Sequence, residues 1–379
     1  MRFVHPVRLA VLAGVVAFAA ACGAADDPAA EAPAGEPEQA ESAPTDEVAE
    51  DAAGSDAEVE EAPAEPVLRV VATLAPIADL VAQVGGDRVE VTPLVPPGAD
   101  SHTYEPRPQD VVILSEADAY LGVGLGLNDG AVRLAEENLP EGASLVLLAE
   151  VALSDADLVF DHTHDHDHGH THDHDDGEDD HGHSHDHDEG HTHDDLGPNP
   201  HVWTSVGNAA ALVDAIAEAL GDLDPDGAEH YLANAANYLE QLAELDALIR
   251  DATVTIPARN RTLVTYHDAW TYFARDYDLD FATAVQPADF SEPSAAEVRA
   301  VIDLIRELDV EVVFGSEVFP TPVLERIAEE TGARYVADLA DDVLPGEPGS
   351  AEHTYLELMR RNAATIVDAL GGDASELRG

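Results

Sequence analysis

The chain has 379 residues, of which 78 are Asp or Glu and 17 are basic, all arginine, giving a formal net charge of −61. With no basic patch to hold phosphates, nucleic acid is excluded as a partner. The single cysteine, Cys22, excludes an intramolecular disulfide framework, and the length allows two domains of ordinary size once the stretches that cannot fold are set aside.

The N-terminal "MRFVHPVRLAVLAGVVAFAAACG" places Arg2 and Arg8 ahead of an apolar run from Leu9 to Ala21, with Ala19, Ala20 and Ala21 just before Cys22. This pattern predicts an export signal, since the run is too short for a membrane span. The small residues before Cys22 resemble a bacterial lipobox, in which the cysteine is lipidated and becomes the new N-terminus, although Ala19 stands where such motifs usually carry leucine. The segment 23–66 holds 15 acids and no base among Ala, Pro, Gly and Ser. It cannot bury enough apolar surface to offset its ordering entropy, so a disordered acidic tether is expected.

The ordered chain starts with an alternating series. Strands are predicted at Leu68 to Thr73, Val89 to Leu94, Ala119 to Gly122 and Leu145 to Glu150, with helices from Pro76 to Gly85 and from Pro108 to Ala117. The Gly-rich run "GVGLGLNDG" reads as a turn closing a strand. After residue 200 a helix runs to about Leu220. Next comes one of about 27 residues, with Asp224 as N-cap and Pro225 in its first turn, roughly 40 Å long. A second alternating series follows from "RTLVTYH" to a last helix from about His353 to Leu370. The expected fold is therefore α/β: two similar domains with mainly parallel sheets, 67–224 and 253–379, joined by a long backbone helix over 225–252, with a cleft between them.

The segment 161–195 carries 13 of the 19 histidines: His162, His164, His166, His168, His170, His172, His174, His181, His183, His185, His187, His191 and His193. Asp, His and Gly offer no apolar face, so a disordered loop with many weak, interchangeable metal sites is expected. Five histidines lie outside this loop and the signal. His230 and His353 fall on polar helical ground and read as ordinary solvated residues. His102 in "GADSHTYEPRP", His201 in "PNPHVWTS" and His267 in "VTYHDAW" each follow a predicted strand or enter a helix, where loops face the cleft. Neutral imidazoles brought together in this way make a metal site.

The motifs "PPGADSHTYEPRPQD", "NPHVWTS", "TYHDAW", "SEPSAAEV", "VVFGSEVF" and "YVADLADD…TYLELMRRN" occur in order over roughly four fifths of the chain. In these the sequence resembles the solute-binding proteins of bacterial zinc and manganese ABC importers, in particular the histidine-rich zinc type called ZnuA-like. The resemblance implies two α/β domains on a rigid helix with the ion between them. The implied ligands are His102, His201, His267 and, in the fourth place, Asp338. Glu317 is implied as a partner that holds a ligand imidazole, and Glu105 is a weaker candidate. Manganese-type relatives tend to carry glutamate where this chain has His267. Three nitrogens and at most one oxygen suit zinc, whereas oxygen-rich sets suit manganese.

The resemblance further implies that Zn2+ is captured outside the cytoplasm and passed to a membrane permease with its ATPase, by a monomer held to the membrane through lipid on Cys22. Large hinge closure is not expected with one stiff connecting helix. A free-standing zinc buffer, a metal-binding adhesin or a manganese-type binder is the alternative. An enzyme is not expected: the chain has no HExxH helix and no GxSxG elbow, and "GVGLGLNDG" lacks the P-loop Lys-Ser/Thr. Because zinc must displace protons from imidazole, zinc uptake is expected to weaken as pH falls below about 6.5.

Overall fold

The structure is a computed structural model that describes residues 67–160, 197–286, 293–316, 322–337 and 339–379. The first half runs β1 (Leu68–Ala72), α1 (Ala75–Gly85), β2 (Val89–Pro93), α2 (Pro108–Ser115), β3 (Ala119–Gly122), α3 (Asp129–Asn138), β4 (Ser144–Leu147), α4 (Leu148–Ala152) and α5 (Val206–Leu223). The long helix α6 (Ala228–Thr253) follows. The second half runs β5 (Thr262–His267), α7 (Thr271–Asp276), β6 (Asp280–Gln286), α8 (Ala295–Glu307), β7 (Val312–Phe314), α9 (Pro322–Thr331), β8 (Arg334–Val336) and α10 (Tyr355–Ala369).

The strands form two four-stranded sheets ordered β2-β1-β3-β4 and β6-β5-β7-β8, with every pairing parallel. In each sheet the first strand in sequence has later strands on both sides, so the chain reverses its winding direction at β1 and at β5. Such reversals open a crevice beyond the C-terminal strand ends. The described residues fall in one compact unit, and a single apolar core runs from Val70 and Leu121 through Tyr231, Leu242 and Ile249 of α6 to Leu263 and Phe314. A second cluster, with Val264, Val313, Leu324 and Ile327, covers the other face of the second sheet. Burial on both faces is what parallel strands require.

α6 does more than connect. Its Asn234 Nδ2 donates to the Val84 carbonyl at 3.0 Å, satisfying an end carbonyl of α1. Gly86 allows the approach: it has φ 57°, and a Cβ there would stand 2.8 Å from His230 Nε2 and 2.9 Å from Asn234 Nδ2.

Three elements differ from the sequence expectation. β4 ends at Leu147 and Leu148 opens α4, because an apolar run as short as "LVLLAE" suits either strand or helix by periodicity. α3 was not foreseen: the glycine-rich turn ends at Asn128, whose side chain accepts from Ala131 N at 2.7 Å and starts a helix. Asp224 does not cap α6 with its side chain. Its carboxylate instead accepts from Arg88 Nε (2.9 Å), Arg88 Nη2 (2.6 Å) and Tyr231 Oη (2.9 Å), and a 3-10 turn over Pro225–Gly227 separates α5 from α6.

Candidate metal centre

Each of the three loop histidines is delivered by a different element. His102 lies on the long connection after β2, where Asp100 Oδ1 accepts from the His102 main-chain N–H at 2.9 Å and Asp100 Oδ2 from Thr103 Oγ1 at 2.7 Å. The same loop is tied from behind, since Asn128 Nδ2 donates to the Ser101 carbonyl at 2.6 Å. His267 is the last residue of β5, at the reversal point of the second sheet. His201 precedes a 3-10 turn, Val202–Thr204, that leads into α5.

The rings converge on Nε2. His201 Nε2 lies 2.9 Å from His102 Nε2 and 2.8 Å from His267 Nε2, and the ring centroids are 4.6 to 5.1 Å apart. Imidazole nitrogens bound to one tetrahedral ion at 2.0–2.1 Å stand about 3.3 Å apart. The three nitrogens thus stand near the mutual spacing that ligands of one small divalent ion adopt. His201 and His267 are buried and His102 is partly buried.

Burial also sets the protonation state. Loss of hydration lowers His102 from 6.5 to about 3. The same effect, with the neighbouring His102 adding to it, lowers His267 to about 3. His201 falls well below the ordinary value through burial first, then through His267 and His102. At neutral pH the triad presents neutral rings, the form that binds metal.

Asn199 directs the central ring. Its Oδ1 accepts from the His201 main-chain N–H at 3.0 Å and lies 2.9 Å from His201 Nδ1. Since that oxygen can only accept, the network assigns the proton to Nδ1 and leaves the Nε2 lone pair aimed at the other rings. Asn199 is fixed in turn: its Nδ2 donates to the Asp268 carbonyl at 2.8 Å, and its own carbonyl accepts from Tyr272 Oη at 2.7 Å.

A carboxylate completes the surroundings. Asp341, buried on the loop after β8, brings Oδ2 to 4.0 Å from both His201 Nε2 and His267 Nε2. The neighbouring Asp342 Oδ2 accepts from Ser101 N at 3.1 Å and ties this loop to the one bearing His102.

Among the described residues, His102, His201 and His267 form the one cluster of His, Cys, Asp or Glu able to share an ion. Glu105 is exposed and stands outside it. Asp338, Glu317 and the thirteen histidines of 161–195 lie outside the described residues. That segment leaves and rejoins the described chain beside the centre: Phe160 and Pro198 form an antiparallel bridge, and Asn199 N donates to the Val159 carbonyl at 2.8 Å. His230 pairs with Asp87 at 3.5 Å, and His353 Nδ1 lies 3.2 Å from the Pro345 carbonyl, so neither joins the triad. Sequence reasoning missed Asn199 and Asp341. The signals were an amide two residues before a candidate ligand in "NPH", and three aspartates, at 338, 341 and 342, within five residues.

A family model described as "Zinc-uptake complex component A periplasmic" (ZnuA) matches residues 70–369. The chain belongs to this family. It is similar to the high-affinity zinc uptake system protein ZnuA of Paracoccus denitrificans, with 36% identity over 307 residues, 81% of this chain and 93% of that protein. It is also similar to the manganese-binding lipoprotein MntA of Halalkalibacterium halodurans, with 30% identity over 303 residues, 80% of this chain and 88% of that protein. Among solved structures, the periplasmic zinc-binding protein TroA of Treponema pallidum aligns with a TM-score of 0.66 and 26% identity, over 80% of this chain and 99% of that one. This ZnuA-family chain thus shares the architecture of two parallel sheets and a long helix with a histidine triad between them. It is a metal-binding substrate protein of an ABC importer and not an enzyme. The bound species is a divalent metal at the histidine triad.

Proposed function

We propose that this ZnuA-family protein captures zinc outside the cytoplasm and hands it to a membrane permease driven by its ATPase. The observation that carries this reading is the donor set: three imidazole nitrogens and no carboxylate among the three converging groups. Nitrogen-rich tetrahedral sets favour zinc, whereas manganese takes oxygen-rich octahedral ones. His102, His201 and His267 are the ligands, with Asn199 holding the ring of His201.

For the fourth donor we assign Asp341, because its carboxylate stands 4.0 Å from two of the three nitrogens and closes on them with a small loop shift. Asp338, which the family resemblance implies for this place, is the competing assignment. One carboxylate beside three neutral rings leaves a single negative charge to meet a dication. Four protein donors also close the coordination shell, which suits capture and release and leaves no position for activated water.

The export signal and lipidated Cys22 would hold the chain at the outer membrane face, with 23–66 as tether. The histidine segment 161–195 would collect ions beside the centre at high effective concentration, because the described chain on either side of it pairs at Phe160 and Pro198. The manganese-type reading rests on the kinship with MntA. Competition titration of the mature protein with Zn2+ and Mn2+, wild type against D341A and D338A, tests these assignments. Tighter binding of Mn2+ than of Zn2+ overturns the zinc reading, and unchanged zinc affinity in D341A overturns the assignment of Asp341.

A further inference from the structure

The loop that carries Asp341 leaves the second sheet, while His201 precedes α5 in the first half of the chain. The link between them is one indole. Trp203 is fully buried, and its Nε1–H donates to the main-chain carbonyl of Asp341 at 2.9 Å. Its ring lies 5.3 Å from the ring of His201, centroid to centroid, at 52°. The Trp203 carbonyl accepts from Tyr355 Oη at 2.6 Å, so the first residues of α10 hold the tryptophan in turn. One 3-10 turn thereby joins the central imidazole, the carboxylate loop and the C-terminal helix.

We propose that Trp203 is the positioning residue for the fourth donor: through its indole N–H it holds the Asp341 loop so that the carboxylate faces His201 and His267. The inference rests on the assignment of Asp341 as that donor. The indole N–H donates to the main chain of residue 341 and not to a metal-binding atom. Packing alone makes no use of the indole nitrogen, and the hydrogen bond it donates is what distinguishes the two roles. A hydrogen bond to the main chain of residue 341 restrains the loop whatever its side chain does, and it removes rotational freedom that an ion would otherwise have to freeze on binding.

The test uses the mature full-length chain as wild type, W203F, D341A and the double variant. The readouts are zinc affinity by chelator competition and the visible spectrum of the Co2+-loaded protein. W203F keeps the ring and loses the donor, so zinc affinity should fall on the order of tenfold, as for other partners that orient ligands. The Co2+ bands should lose intensity as water replaces the held carboxylate, a change that a packing defect alone would not produce. In the D341A background the W203F substitution should cost no more than about threefold further, since a residue acting through Asp341 has nothing left to position.

Zinc affinity and Co2+ spectrum unchanged in W203F, with D341A clearly weakened, overturn the positioning role and leave the zinc reading intact. An unchanged D341A overturns the Asp341 assignment itself and, with it, this proposal. Should W203F not fold, 15N-tryptophan labelling of the wild-type chain decides, since only two tryptophans are present. The Trp203 indole N–H resonance should move on zinc addition, and move much less in D341A. Equal movement in both chains overturns the proposal.

Discussion

Replacing His201 by alanine removes the ring on which the other two converge, at 2.9 and 2.8 Å. Zinc held by four protein donors in a small folded site is worth about 10–16 kcal/mol, or roughly 2.5–4 kcal/mol per donor. Loss of one donor should therefore weaken binding about 10²–10³-fold. Water cannot restore the lost donor fully, because the site is buried and the rings on either side are fixed by their own loops. Chelator competition reads the change directly, and thermal unfolding provides a second readout. With free zinc at 100 times the wild-type Kd, the ion stabilises the wild-type fold by about 2.7 kcal/mol, and a hundredfold weaker variant by only about 0.4 kcal/mol. The zinc-induced rise in Tm should accordingly almost vanish in H201A. Zinc affinity within threefold of wild type, in a variant whose apo form melts cooperatively, would refute the assignment of the triad as the binding site.

Asn199→Ala removes the group that fixes the His201 tautomer and should lower zinc affinity 10–100-fold with all three imidazoles retained; the same competition assay measures it. The triad rings have pKa values displaced to about 3 at His102 and His267, so no proton need be displaced from them between pH 7 and 5. Zinc affinity should thus stay nearly flat over that range, where three ordinary imidazoles would lose it steeply below 6.5; a steep loss between pH 6.5 and 5.5 would refute the burial argument. The apo fold should behave oppositely. Between about 6.5 and 3 the unfolded chain binds protons that the folded triad does not, so stability falls with acidification by up to about 1.4 kcal/mol per pH unit for each ring. Denaturant unfolding of apo wild type and H201A at several pH values should show a shallower slope in the variant. Deleting 161–195 should leave the affinity of the triad within a few-fold of wild type while removing weaker binding equivalents, as counted by titration.

Much of this protein was legible from residues alone. The alternation of short apolar runs with amphipathic helices implied parallel sheets, because each strand needs covering on both faces. The periodic apolar face of residues 231–249 announced the long helix. His102, His201 and His267 stood out because each occupied the kind of loop that parallel sheets turn toward a crevice. Local chemistry could not resolve "LVLLAE", where strand and helix patterns coincide over so few residues, nor the side chain of Asp224, whose stronger partner, Arg88, lies 136 residues away.

Which donors exist, and the alternation of strand and helix patterns around them, are properties of the chain alone and were open to reading before any fold was known. Folding sets how close the donors come, brings Asp341 to two of the rings, and gives His201 and the Asp341 main chain their hydrogen-bond partners in Asn199 and Trp203. Those facts depend on contacts between residues 66 to 241 positions apart in sequence, and on burial that strips water from the imidazoles. Packing creates both, and no local pattern records them.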